Sequence, residues 1–454
     1  MQIRNLRGSS AVAAWFLAAF TLCLFVLSSS QRGEAIPAFA RKFGMPCSAC
    51  HEAWPKLNNF GQVFKDNGYQ LGNDKDAPIF HEPAYWPVSF RITPNWHREH
   101  TNRVAVDQAA SGVQGLTTSG WDLSGLDILT GGTLNKNISF LLTPSADSTA
   151  SFHFESAWVR FDNLLKTPWL NVKVGKFELD NVFSEKRNLT LSNNGGPYQI
   201  YHYRPVSDAS TPFGIGDNQL GFEVMGHSKN SYTRYSVSVL SSNDGQVGLP
   251  TSNAYDVFLA GSQAFEVGGL GLQRVGGFAY FGQLPSYYLT SGGPGNPIAG
   301  SGQGNKPFRR EGIYGMWYLK RLDVTTMFTH ASESAYLVTG TPSTAAGSPG
   351  RDASWNGALI ETHFTLNPRL ILVNRYEAIR MSQQVDPTNL PKDLGNLDAL
   401  TFSMRYYPFM HSRDGFAIHP EYSILRTRKT FQTGSNPVED TTSSSLFLGF
   451  DFIF

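Results

Sequence analysis

Side chains alternate in polarity with a period of two along most of this chain, and that period commits the chain to strands. The clearest run sets Trp86, Val88, Phe90, Ile92, Pro94 and Trp96 against Pro87, Ser89, Arg91, Thr93, Asn95 and His97. Successive residues of a strand point to opposite faces, so one face here is apolar with an aromatic at each end and the other is polar. The last segment repeats the pattern, with Leu446, Leu448, Phe450, Phe452 and Phe454 sharing a face. A lipid-facing surface paired with a wet lumen asks for that combination.

Sixteen strand-like segments can be counted, the first near Trp86 and the last near Ser443, with others opening near Trp121, Ile138, Phe152, Tyr255, Gly312, Leu322 and Leu397. Their connections alternate in length. After even-numbered strands they are mostly tight, as at Asn135-Lys136-Asn137, Lys320-Arg321 and Asn367-Pro368; after odd-numbered strands they are mostly long, as from Asn181 to Asp217 and from Gly282 to Glu311. Short periplasmic turns and long outer loops are the mark of an even-stranded outer-membrane barrel. A soluble β-sandwich or propeller is the competing architecture, and it accounts for neither the lipid-like face nor the alternating loops. Composition agrees with the barrel: 16% charged residues, 44 Gly, 32 Phe and 18 Tyr. A net charge of +1 without a basic tract gives no reason to expect a nucleic-acid partner.

The first residues read as an export signal. Arg4 and Arg7 precede the apolar run from Ala11 to Leu27, and Gly33-Glu34-Ala35 offers a small-residue cleavage site, so residues 1–35 are expected to leave with cleavage after Ala35. An uncleaved anchor is the alternative. No later segment is apolar for long enough to form a membrane helix, which leaves strands to cross the bilayer.

Once Cys23 leaves with the signal, the remaining cysteines both lie in Cys47-Ser48-Ala49-Cys50-His51. C-x-x-C-H is the attachment pattern of c-type haem: two thioethers fix the porphyrin edge and the histidine falls under the iron. Zinc would need a second ligand pair and a thioredoxin-like dithiol would need a βαβ context; a plain disulfide is the remaining alternative, and haem is preferred to it because the five-residue pattern uses every mature cysteine. Beyond the motif, Leu57, Phe60, Gly61 and Phe64 recur at helical spacing, Pro55 suits a first helical turn, and Asn67-Gly68 can stop the helix. The expected organisation is therefore a signal peptide over 1–35, a monohaem cytochrome module over 36–82 and a transmembrane barrel over 83–454. A module that small rarely buries enough apolar area alone, so it should dock in the barrel as a plug.

The distal axial ligand is not readable from the motif. Met45 lies close to Cys47 and is constrained, while His81 at the far end of the module can fold back. His97, His363 and His419 face the lumen by strand parity, the last two near periplasmic turns, although a polar residue lining a wet lumen is the simpler reading of each. His97 and His100 fall on opposite faces and cannot share a metal. The outer-loop carboxylates Asp180, Glu185, Asp208 and Asp217 are scattered along the chain and read as solvated, without a convincing site for ferrous iron.

The run from Ile36 through Phe39, Phe43-Gly44-Met45-Pro46 and the C-x-x-C-H motif, continued by Pro55-Lys56-Leu57-Asn58, Phe60-Gly61, Phe64-Lys65 and Gly68-Tyr69, resembles the fused monohaem cytochrome–porins. Iron-oxidising bacteria use members of that family to take electrons from extracellular ferrous iron. The resemblance implies one haem c on Cys47 and Cys50 with His51 as proximal ligand, and a location in the bacterial outer membrane. It further implies electron transfer between an extracellular donor, ferrous iron foremost, and a periplasmic cytochrome. With that donor the activity is that of a ferrous-iron:cytochrome c oxidoreductase. No substrate residues carry over. Outer-membrane lipid is an expected partner, and barrels of this size often associate into homo-oligomers. The rival reading is a diffusion porin whose haem module is a plug or a sensor.

Overall fold

The computed structural model describes residues 37–71, 88–105, 113–146, 151–181, 183–205, 214–242, 254–285, 305–335, 351–385, 391–410, 414–433 and 436–454. The export segment, His81, Trp86 and Asp208 lie outside them. The N-terminal part begins with helix α1 (Pro37–Phe43) and the single turn α2 (Cys47–Cys50). A small hairpin of β1 (His51–Ala53) and β2 (Lys56–Leu57) follows, and then helix α3 (Asn59–Asp66). Pro55 sits between the two short strands and not in a helical turn, because α3 starts later, capped by the Asn58 side chain on the Gly61 amide.

Sixteen antiparallel strands then close on themselves. In chain order they are β3 (Val88–Ala105), β4 (Val113–Asn135), β5 (Ile138–Ala146), β6 (Phe152–Phe161), β7 (Asn171–Phe177), β8 (Gln219–His227), β9 (Thr233–Ser241) and β10 (Tyr255–Val267), then β11 (Gly271–Pro285), β12 (Asn305–Leu319), β13 (Leu322–Glu333), β14 (Ala353–Asn367), β15 (Leu370–Gln383), β16 (Leu397–Met410), β17 (Gly415–Thr433) and β18 (Asn436–Ile453). Every strand pairs with its neighbours in sequence, and β18 returns to β3 through pairs such as Phe447 with His97. The closing seam is finished by Phe454, whose amide and carbonyl bond to Phe90 and whose ring stacks on it at 5.6 Å.

Closure satisfies the backbone groups that a bilayer would leave orphaned, and the side chains sort by face. Outward positions carry Trp121, 73% exposed, and Ile313, 67% exposed, with Phe402 and Leu446, while inward positions of the same sheet bury Asn95, Arg405, Glu421 and Asp451. Among the described residues no helix is long and apolar enough to cross a membrane, so crossing falls to these strands. The molecule is an outer-membrane barrel.

The strand count agrees with the sequence pattern, but several ends do not. Strand β4 begins eight residues before Trp121, and β12 and β18 begin well before Gly312 and Ser443. Their early residues are polar because they continue the ladder past the apolar band, where neither face has to be greasy. The last outer connection is also tight, since β17 and β18 pair out to Thr433 and Asn436.

Two segments occupy the lumen. Residues 37–71 lie at the mouth with the tight turns: Gln70 donates to the Lys136 carbonyl, and Lys56 reaches Asp323 at the start of β13. From the opposite end, the connection between β7 and β8 folds inward. Its Leu191 and Ile200 amides donate to Glu421 and Glu377 on the far wall, and the Tyr198 hydroxyl donates to Glu361.

Candidate cofactor site

The motif turn is held by α3. The Asn58 side-chain amide donates to the carbonyls of Ser48 and Ala49 at 3.2 and 3.0 Å, and its backbone amide donates to the Cys50 carbonyl at 3.0 Å. Gly61 lets the helix come this close: a Cβ there would lie 2.1 Å from the Cys50 oxygen. Neither Cys47 nor Cys50 is in a disulfide. Burial pushes the Cys50 thiol up, and it pulls the His51 imidazole down to about 4 against hydrogen bonds to the Pro55 and Lys56 backbone, so the ring is neutral. Nδ1 of His51 lies 3.1 Å from the Pro55 carbonyl. With the proton on Nδ1, the Nε2 lone pair is presented for ligation, the usual support for a metal-binding histidine.

Both thiols and the imidazole border one cavity of about 390 Å³, which falls in the range of small-molecule and cofactor sites. Its walls from the plug are largely aromatic. Phe39 stacks on Tyr69 at 4.9 Å and meets Phe64 edge-on at 5.2 Å, and Tyr69 stacks on Trp158 of β6 at 6.2 Å. The rest of the wall carries paired charges: Lys65 from α3 and Arg187 from the inward loop share Glu178, Lys186 of the same loop pairs with Glu155, and Lys173 of β7 pairs with Glu223. Burial and then the neighbouring Arg187 charge bring the Lys65 ammonium down to about 8, against the opposing pull of the Glu178 carboxylate 3.8 Å away. Chemically, the arrangement offers two thiols, a neutral imidazole, flat apolar walls and a side of paired charges.

The plug is seated by charge as well as by rings. Arg160 on β6 donates to the terminal α3 carbonyls of Lys65 and Asp66 at 2.9 and 3.2 Å, and Arg234 on β9 pairs with Asp66 at 2.9 Å and with Asp180 at 2.7 Å. The Trp54 carbonyl accepts the Tyr407 hydroxyl, and the Trp54 ring lies 5.0 and 5.4 Å from the Arg91 and Arg405 guanidinium carbons.

Of the distal-ligand positions named from the sequence, Met45 borders this cavity, whereas His97, His363 and His419 do not. His363 is engaged at both nitrogens, by Lys56 at 2.9 Å and Glu361 at 2.8 Å. The fully buried His419 bonds Glu421 at 2.7 Å and has the Ser403 hydroxyl at 3.5 Å, and His97 lies 3.4 Å from Glu99. Each of the three faces inward as parity required, and each has a carboxylate two residues on or back, on the same face of its strand. That neighbour claims the ring.

Sequence reasoning missed the inward loop, which supplies Glu178, Glu185, Lys186 and Arg187 to the cavity. The signal was available in apolar residues that a solvated loop would not carry: Leu179, Leu189, Ile200, Tyr201 and Ile215 are all buried. The outer-loop carboxylates are not all scattered either. Asp180 is paired with Arg234, but Glu185 and Asp217 converge on His202.

No protein-family model and no curated protein matches the chain. Among solved structures, the anion-selective porin from Comamonas acidovorans aligns with a TM-score of 0.51 at 9% identity, over 81% of this chain and 99% of that one. Pseudomonas putida OprB aligns with a TM-score of 0.45 at 10% identity, over 80% of this chain and 94% of that one. OmpT of Vibrio cholerae gives 0.45 at 12% identity, over 81% and 98%. At such identities the likeness to the Comamonas porin speaks to fold: the chain is a closed sixteen-stranded barrel of the outer-membrane porin kind.

Proposed function

We propose that the protein is an outer-membrane electron conduit that carries one haem c on Cys47 and Cys50, with His51 as proximal ligand. The observation that carries this reading is the opening of both thiols and the neutral His51 ring onto one aromatic cavity between the plug and the inward loop. When bound, the haem supplies a one-electron iron couple whose potential depends on axial ligation and burial. The chain's own part is to hold, orient and insulate. Asn58 and Gly61 fix the motif turn, the Pro55 carbonyl fixes the His51 tautomer, and Lys65 and Arg187 suit the propionate edge. Met45 is the distal candidate that borders the cavity.

A donor outside the cell and a cytochrome in the periplasm must both come near one cofactor across an apolar band about 25 Å tall. A plug seated in the lumen shortens both approaches. Ferrous iron is the favoured donor: one Fe2+ becomes Fe3+, and its electron leaves to the periplasmic carrier.

The porin-type fold favours a second reading, a diffusion channel in which the plug is a stopper or sensor. One preparation separates the two. Detergent-purified, oxidised protein should show reduced c-type bands on addition of about stoichiometric ferrous iron, and the same protein in planar bilayers should conduct poorly. A steady porin-like conductance together with no covalent pigment would sink the conduit and leave the channel.

A further inference from the structure

The inward loop assembles a donor set that its sequence spacing hides. Glu185 sits in a short 3-10 turn, His202 ends helix α4 (Gln199–His202), and Asp217 precedes β8. The Nε2 atom of His202 lies 2.9 and 2.8 Å from the two Glu185 oxygens, and Nδ1 lies 3.8 Å from Asp217 Oδ2. One ligand atom from each residue falls within 4.8 Å of the others. Glu185 and Asp217 face different nitrogens of the ring, so a single small cation at the ~2.0–2.2 Å reach of all three requires the imidazole or a carboxylate to turn toward it.

Two glycines make room for it. A Cβ at Gly214 would lie 2.3 Å from His202 Nδ1 and 2.5 Å from Asp217 Oδ2, and one at Gly216 would lie 2.0 Å from Glu185 Oε2. The backbone therefore wraps the donors at a distance that any side chain would close. Lys186 is paired with Glu155; its charge also acts on Asp217 and Glu185 but makes no ion pair with either.

We propose that Glu185, His202 and Asp217 bind one divalent first-row transition-metal cation. Two carboxylates and a neutral imidazole match a charge of two, and the imidazole favours this class over calcium or magnesium, which prefer oxygen donors alone. Three protein donors leave coordination positions for water. Glu185 also borders the cofactor cavity, so the cation sits in that cavity's outer wall. Its service as the point where an external metal donor docks rests on the electron-conduit reading; the binding itself does not.

The test uses the full chain in detergent and Mn2+, which does not reduce haem, so binding is read apart from electron transfer. Loss of the free Mn2+ resonance at pH 7 should report one site per chain. Glu185→Gln and His202→Ala should each weaken it by at least about tenfold, since even outer-shell losses at metal sites reach that size. Gly216→Ala should do the same through the Cβ clash, with heat-modifiable gel mobility confirming an intact barrel in each variant. Absence of Mn2+ binding, or binding equal in all four proteins, overturns the site. If Mn2+ binds at the triad while ferrous iron fails to reduce the haem, the site stands and the ferrous donor falls. If ferrous iron reduces wild type and variants alike and Mn2+ does not bind, the conduit stands and the site falls.

Discussion

Around the barrel each strand is bonded along its length to two others, so the wall has no edge, whereas the 37–71 segment inside meets that wall through side-chain contacts and not through a shared backbone ladder. The wall answers to lipid on one side and needs only the right period and closure. The plug answers to a cavity it helps to build, and specific atoms decide whether it seats: the Gly61 hydrogen, the Asn58 amide, the Arg160 guanidinium. The wall should therefore tolerate loss of the plug, and the plug should be sensitive to changes the wall ignores.

The largest expected effect is at Gly61. A valine there puts its Cβ 2.1 Å from a backbone oxygen that cannot rotate away, so α3 should lose its seat on the motif turn by about 4–5 kcal/mol. Covalent pigment should fall to near zero in Gly61→Val while heat-modifiable mobility of the barrel is kept. A variant that loses both together would mean wall and plug fold as one unit.

The same contrast explains what could be read before the fold was known. The facing of Phe90, Ile92, Leu446 and Phe450 follows from a two-residue period, a local property repeated sixteen times. Cys47, Cys50 and His51 were legible as a set because they stand in one five-residue motif, and the fold opens all three onto one cavity. The wall of the cavity was not legible, because Trp158, Lys173 and Arg187 meet there from parts of the chain far apart in sequence. The convergence of Glu185, His202 and Asp217 was hidden for the same reason. Strand ends such as Val113 were missed because past the apolar band both faces are wet and alternation carries no information.

A change on the lipid face should show the reverse signature. Ile313 is outward and near the middle of β12, so Ile313→Arg should cost the barrel about 2–4 kcal/mol in folding into vesicles, measured by denaturant titration of the heat-modifiable form. Among chains that do fold, the pigment per barrel should match wild type. Reduced pigment in the folded fraction would show that the wall's lipid contact reaches the plug.

The smallest effect is the most specific to the plug. Asp66 at the end of α3 is buried; burial raises its carboxyl, but the Arg234 charge, aided by His227, Ser231 and Lys65, outweighs that and holds it below the ordinary value. A carboxylate whose folded pKa is depressed contributes stability above its unfolded pKa of about 3.9 and loses it as the pH falls through the folded value. Seating of the plug should therefore be flat between pH 7 and about 5 and should loosen below about 4, while the wall's backbone ladders, which do not titrate, persist. Tryptophan emission follows the seating, because Trp54 of the plug packs on Arg91 of the wall and Trp158 of the wall stacks on Tyr69 of the plug, and far-ultraviolet dichroism follows the wall. In Asp66→Asn the seating should be weaker at pH 7 by about 1–3 kcal/mol, less than for a fully broken buried pair because Arg234 keeps Asp180. Its emission should also change less between pH 5 and 3 than that of wild type. An equal acid response in both proteins would move the pH dependence from Asp66 to the lumen carboxylates of the wall, and the division of the molecule into an insensitive wall and a titrating plug would fail.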